Sequence, residues 1–252
     1  MKDFIGIFDS GMGGISVLKK AAALLPNENF IYYGDNRNAP YGTRPIAEIR
    51  QLCAAAIDHL LAQEIKALVI ACNTATAAYA STIRAEHPEL PIIGMEPAVK
   101  PASLARSSGR VLALATKATL MLDKFSRLME QYGEGVIPVV GKGLVEIVEA
   151  GKAGSPEAEQ ALQAVFKPYL NEQIDGIVLG CTHFPFLRRQ IEAFFPDAQI
   201  FDGREGTVRQ LERRLIETGR RSMRSEAGQI IFQTSGEADI LKSMQRLFEA
   251  EI

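Results

Sequence analysis

The sequence predicts an α/β protein made of two similar halves, each with a mainly parallel sheet. Two observations carry that prediction. Short apolar runs alternate with amphipathic stretches along the chain, the pattern of strands joined by helical crossovers. The chain also repeats itself. "LVIACNTA" aligns with "IVLGCTHF", which sets Cys72 and Cys181 109 residues apart, and "FIGIFDSGMG" aligns with "VLALATKATL" at a shift of 107 when Phe4 is set against Val111. Two anchors with nearly equal shifts point to two related, pseudo-symmetric units.

The elements follow in order. Candidate strands fall at 4–8, 30–33, 67–71, 92–94, 111–115, 136–140, 176–179, 199–201 and 229–233. Many are apolar on both faces, as sheets covered by helices require. Amphipathic stretches lie between most of them, at 45–64, 97–108, 119–131, 156–172 and 206–220. "GMEPAVKPA" at 94–102 reads as the crossover between units, and the tail from about 206 as a return to the first. The expected division is therefore a first domain of residues 1–95 plus 206–252 and a second of 96–205, with the active site in the cleft between them.

Composition narrows the class. The 252 residues are 47% hydrophobic with a formal net charge of −2, enough for one large core or two small ones and without the basic excess of a nucleic-acid binder. The start "MKDFIGIFDSG" carries three charges and no long apolar run, so it is not a secretory signal. Nothing approaches a membrane span. A soluble, cytoplasmic protein is expected, with no membrane or nucleic-acid partner.

Three cysteines, Cys53, Cys72 and Cys181, without a CxxC pair argue against a disulfide framework and a structural zinc site. Cys53 sits in a helical apolar pattern and reads as a buried structural thiol. Cys72 and Cys181 each stand where an apolar strand meets a polar pair and a helix-forming run. Ligands of open α/β sheets bind outside the carboxyl ends of the strands, and Asp9-Ser10, Cys72-Asn73-Thr74 and Cys181-Thr182-His183 all lie there. A thiol at a helix N-terminus is expected to have a lowered pKa. Two facing thiols suit proton transfer to and from opposite faces of one carbon. Asp9 is placed to assist one thiol, and His183 to assist the other or to help hold the substrate, while Ser10, Asn73, Thr74 and Thr182 offer donors for carboxylates.

With these residues in hand, "FDSGMGG" at 8–14, "YYGDNRNAPYG" at 32–42, "ACNTAT" at 71–76, "EPAVKPA" at 96–102 and "GCTHFP" at 180–185 together resemble the glutamate racemases along the whole chain. The resemblance implies two pseudo-symmetric α/β domains, no cofactor and no metal. It also implies homodimers and conversion of L-glutamate to D-glutamate for peptidoglycan synthesis. It makes Cys72 and Cys181 the acid–base pair, and gives Asp9, Ser10, Tyr41, Gly42, Asn73, Thr74, Thr182 and His183 contact with substrate or thiols, with Pro40 shaping its loop. Glu149 in "EIVEAG" matches an acidic residue near the second thiol. Thr116 and Thr119 occupy a substrate-binding turn in which Ala115 and Ala118 replace glycines. Some relatives carry an N-terminal extension and respond to a cell-wall precursor. With eight residues ahead of Asp9, this chain is expected not to respond to a UDP-linked muropeptide by that route.

Plainer readings exist. "SGMGG" lacks the endings of a P-loop or a dinucleotide fingerprint, and its glycines are expected to let the turn pass close to substrate. His59 and His87 read as structural or solvated. Cys181-x-His183 lacks the further Cys or His that a metal site needs. The basic run "RRLIETGRRSMR" at 213–224 reads as a solvated helix end. The rival functions are a racemase of another acidic amino acid such as aspartate, a binding protein that needs neither thiol, and a thiol hydrolase built on Cys181 and His183.

Overall fold

The computed structural model describes residues 3–250. Strand β1 (Phe4–Asp9) leads to helix α1 (Ile15–Leu24), β2 (Asn29–Gly34), α2 (Ile46–Leu61), β3 (Ala67–Ile70), α3 (Asn73–Glu86), β4 (Ile92–Gly94) and α4 (Val99–Ala105). Then come β5 (Arg110–Ala115), α5 (Lys117–Met121), α6 (Asp123–Tyr132), β6 (Val136–Val140), α7 (Leu144–Glu149) and α8 (Pro156–Phe166). The chain closes with β7 (Ile174–Gly180), α9 (Arg188–Phe194), β8 (Gln199–Asp202), α10 (Arg204–Glu217), β9 (Ile230–Thr234) and α11 (Ala238–Glu249). All nine candidate strands form, within two residues of their expected bounds.

Two sheets result, with strand orders β4-β3-β1-β2-β9 and β6-β5-β7-β8, and every strand pair is parallel. Their topology is the repeat made solid. β4, β3, β1 and β2 correspond in order to β8, β7, β5 and β6. Strands starting at Asn29, Ala67 and Ile92 are each answered 107 residues later, at Val136, Ile174 and Gln199. Among the described residues β9 has no counterpart in the second sheet. It pairs with β2, while α10 packs on α1 and β4, so the C-terminal stretch lies against the first sheet.

Each sheet is a filling between two helical layers, and strand alternation decides which side chain serves which layer. In β1, Ile5 and Ile7 join the cluster with α1, α10 and α11, while Phe8 turns to α2 and α3. In β5, Leu112 and Leu114 face α7, α8 and α9, while Val111 and Ala113 face α4 and α6. The inner strands are buried on both faces, which explains their unbroken apolar runs. Edge strand β6 tolerates Pro138, which has no N–H to give a ladder.

Two amphipathic stretches are cut shorter than their periodicity predicts. The stretch 119–131 breaks at Leu122, whose extended backbone (ψ 142°) separates α5 from α6. The stretch 156–172 starts on a good cap, Ser155, whose side chain accepts the Ala158 N–H ahead of Pro156. The α-helix ends at Phe166, because Pro168 has no N–H for the next α-helical bond, and a short 3-10 turn at Lys167–Tyr169 follows. The basic run is a helix end laced with ion pairs: Arg213 and Arg214 face Glu217, and Arg221 faces Glu212. Among the described residues no helix is long and apolar enough to cross a membrane.

One buried ion pair ties the connections at the foot of the first sheet. Lys66 Nζ lies 2.6 Å from Glu28 Oε2 and 2.8 Å from Asp3 Oδ1, and Glu28 Oε1 accepts the Ser222 N–H at 2.7 Å. Removing Glu28 leaves the buried Lys66 ammonium with only the half-exposed Asp3. Glu28→Ala is expected to lower unfolding free energy by about 3 kcal/mol, read from urea denaturation; a loss near zero would contradict this role.

Candidate active site

The site is built at the carboxyl ends of the strands, where parallel sheets leave a crevice. Asp9 ends β1 and Ser10 follows it. Cys72 caps α3 two residues after β3, and Thr116 caps α5 directly after β5. Cys181, Thr182 and His183 follow β7. The loop after β2 turns through a cis Ala39–Pro40 bond into a 3-10 turn at Tyr41–Thr43. From the first sheet Ser10, Pro40, Tyr41, Gly42, Cys72, Asn73 and Thr74 line one cavity; from the second, Thr116, Cys181, Thr182 and His183 close it. The cavity is narrow, about 20 Å³, and both thiols are free and buried at 6% and 7% exposure.

Three further residues stand one hydrogen bond behind the cavity wall. Asp9 accepts from the Thr182 hydroxyl and from the Gly11 N–H, each at 3.0 Å. Thr119 lies 2.9 Å from both the Thr74 and Thr116 hydroxyls, with Thr74 and Thr116 3.1 Å apart. This three-hydroxyl ring survives the alanines at 115 and 118 because Thr116 still accepts the Thr119 N–H as a helix cap. Glu149, at the end of α7, faces His183 Nε2 at 2.5 Å and accepts the Met12 N–H at 2.6 Å and Asn36 Nδ2 at 3.3 Å. His183 Nδ1 lies 3.6 Å from Cys181 Sγ. On the other side Cys72 Sγ donates to the Ser10 hydroxyl at 3.5 Å and accepts the Ala75 N–H at 3.4 Å. Among the described residues no group of three or more His, Cys, Asp or Glu is arranged to hold a metal ion.

Residues 10–211 match the family described as Asp/Glu/Hydantoin racemase. The chain belongs to that family. It is 46% identical to the glutamate racemase of Clostridium perfringens (strain SM101 / Type A), over 97% of this chain and 96% of that protein. Among solved structures it is similar to the glutamate racemase isoform RacE1 of Bacillus anthracis, at 28% identity and a TM-score of 0.88, covering 100% of this chain and 96% of that one. The glutamate racemase of Francisella tularensis, solved in complex with D-glutamate, matches at 25% identity and a TM-score of 0.85, covering 100% and 95%.

Within this racemase fold the two thiols have unlike surroundings. Cys72 caps a true α-helix, yet its pKa is pushed up to about 12, first by burial and then by the Asp9 carboxylate; the Ser10 and Ala75 hydrogen bonds only soften this. The lowering expected from the helix start is overruled by desolvation. Cys181 does not stand at the start of an α-helix. A turn and a four-residue 3-10 helix, Phe184–Leu187, stand between it and α9, so no long helix dipole points at it. Its polarising partner is His183. Burial disfavours the charged ring, but hydrogen bonds to Cys181 and Glu149 outweigh it and raise His183 well above the ordinary histidine value. Burial also works against the Glu149 carboxylate, but His183, Met12 and Asn36 together lower its pKa. Burial raises Asp9, with His183 and the Gly11 N–H opposing.

The glycines after β1 serve the seam between the halves. A Cβ on Gly11 would lie 2.2 Å from Glu149 Oε1, and one on Gly13 would lie 2.4 Å from His183 Nδ1. The space that Gly11 and Gly13 leave is taken by side chains of the second half. Val145 and Gly180 also line the cavity, and Asn36 reaches Glu149. An apolar helix residue and a strand-end glycine carry no chemical signature in sequence. Asn36 was visible only as part of its motif. Cys53 is fully buried, as expected. His59 is bonded to Gln233, and His87 is the C-cap of α3.

Two outcomes follow. Gly11→Ala displaces the Glu149 carboxylate, and racemase kcat/KM is expected to fall by about two orders of magnitude. Gly154→Ala, with no atom within 4 Å of the added Cβ, stays at the starting level; equal rates for both would contradict the seam assignment. Because Glu149 has a folded pKa below its ordinary 4.5, its stabilisation is complete above that pH and is lost as pH falls through the lower value. Glu149→Gln is expected to flatten the acid limb of a stability-versus-pH curve; an unchanged limb would contradict the pairing.

Proposed function

We propose that this isomerase of the racemase family interconverts L- and D-glutamate by a two-base mechanism. Cys72 works on one face of the α-carbon and Cys181 on the other. The carrying observation is that a thiol from each sheet lines the same cavity, each with its own proton-handling neighbour. Thiolate on one side removes the α-proton while thiol on the other delivers one, and the roles exchange in the reverse direction. Similarity at 46% identity to a glutamate racemase supports glutamate as the substrate.

Side-chain chemistry supports each step. Burial and the Asp9 carboxylate favour the thiol form of Cys72. A bound amino acid brings an α-ammonium, whose positive charge opposes the burial and the Asp9 repulsion that raise the Cys72 pKa. His183, whose pKa is raised by its hydrogen bonds to Cys181 and Glu149, is the proton-handling neighbour of Cys181. Both polar atoms of the Asn73 amide are buried without a hydrogen-bond partner. Such groups are costly unless a ligand satisfies them, and an amino acid's ammonium and carboxylate match a donor and an acceptor side by side. Hydroxyls of Ser10, Thr74, Thr116 and Thr182 are placed to hold carboxylates as charge develops at the α-carbon. The closed cavity is too small for an amino acid, so the sheets part to admit substrate and close to exclude water. The product fits a role in supplying D-glutamate to peptidoglycan synthesis in the cytoplasm.

Cys72→Ser and Cys181→Ser are each expected to reduce glutamate racemisation by at least about 1,000-fold, followed by polarimetry, with aspartate assayed in parallel. Racemisation retained in either variant would contradict the two-thiol mechanism. Faster turnover of aspartate than of glutamate would reassign the substrate.

A further inference from the structure

The chain of hydrogen bonds behind Cys181 does not stop at Glu149. Asn36 Nδ2 donates to Glu149 Oε2 at 3.3 Å, and Asn36 Oδ1 accepts from the Thr234 hydroxyl at 2.9 Å. Asn36 opens the 3-10 turn after β2, and Thr234 ends β9, in register with Gly34. Gly34 leaves the space for this contact, since its Cβ would lie 2.6 Å from Asn36 Oδ1. Neither Asn36 nor Thr234 lines the cavity.

An amide has a donating end and an accepting end, and either can be turned toward a neighbour. Glu149 tolerates only the donating end, because a carbonyl set against its carboxylate is repelled. The Thr234 hydroxyl decides the orientation. Its oxygen already accepts the Gly236 N–H at 3.0 Å, which leaves its proton for Asn36 Oδ1. The next residue reinforces the grip: Ser235 donates to Asp35 Oδ1 at 2.5 Å, and Asp35 Oδ2 accepts the Tyr41 hydroxyl at 2.6 Å. β9 thus reaches the site at two points, although it lies beyond the stretch that matches the racemase family.

We propose that Asn36 and Thr234 are positioning residues for the second thiol: they set the orientation of Glu149 and, through it, of the His183 ring that serves Cys181. This rests on the two-thiol reading above. It makes Thr234, at the end of the C-terminal strand, part of the machinery for the proton transfer at Cys181.

The test compares Thr234→Val, nearly isosteric, with Thr234→Ser and Asn36→Ala, using protiated and α-deuterated L- and D-glutamate. Thr234→Val is expected to lower kcat/KM by about fivefold to twentyfold, the effect of one hydrogen bond; Asn36→Ala lowers it at least as much, and Thr234→Ser recovers most of the rate. The primary isotope effect on kcat/KM should rise for the enantiomer whose α-proton Cys181 removes. It should fall for the other, because proton delivery by Cys181 has become the slower step. A merely structural lesion lowers rates without splitting the isotope effects. Thr234→Val within twofold of the starting rate, or isotope effects that move together in Thr234→Val and Asn36→Ala, overturns the assignment while leaving the two-thiol reading intact. A folded, unsubstituted chain that does not racemise glutamate overturns that reading and the assignment together.

Discussion

Glu149 holds a negative charge inside the seam between two sheets, and the site depends on how that charge is satisfied. Its carboxylate is shared by His183 from its own half and by Met12 and Asn36 from the other. A carboxylate withdrawn from water is tolerated only with such partners. The same contacts therefore fix the imidazole beside Cys181 and draw the halves together. Thr182 and Asp9, Ser16 and the Thr182 carbonyl, and Thr74 and Thr116 add further bonds across the seam.

Burial and charge set the two thiols apart. Burial, and then the Asp9 carboxylate, push the Cys72 thiol pKa up to about 12. Cys181 faces a ring whose pKa is raised above the ordinary histidine value. Topologically the halves are related, but electrostatically they differ: one thiol has the Asp9 carboxylate as neighbour and the other the His183 imidazole. A substrate that carries both charges on one small carbon is matched to that asymmetry.

Much of this was legible in the sequence, for identifiable reasons. Buried parallel strands read as apolar runs, so all nine were found. The repeat of Cys72 and Cys181 became the correspondence of β3 with β7. What was hidden came from distance along the chain and from burial. Glu149 meets Met12 across 137 residues, and no local pattern announces that contact. The neighbours that Gly11 and Gly13 make room for, Glu149 and His183, arrive from the other half and leave no local mark. The helix start at Cys72 was visible, but the desolvation that overrules its dipole was not. At Cys181 a polar pair before a proline-containing turn imitated a helix start.

The central claim is that two thiols share one α-carbon from opposite faces. The most direct measurement follows deuterium from D2O into glutamate at low conversion, starting separately from each enantiomer. Two bases predict that product carries deuterium at the α-carbon while recovered substrate stays protiated, in both directions. Deuterium appearing equally in recovered substrate and product, from the first turnovers, would mean that a single base serves both faces and would contradict the claim.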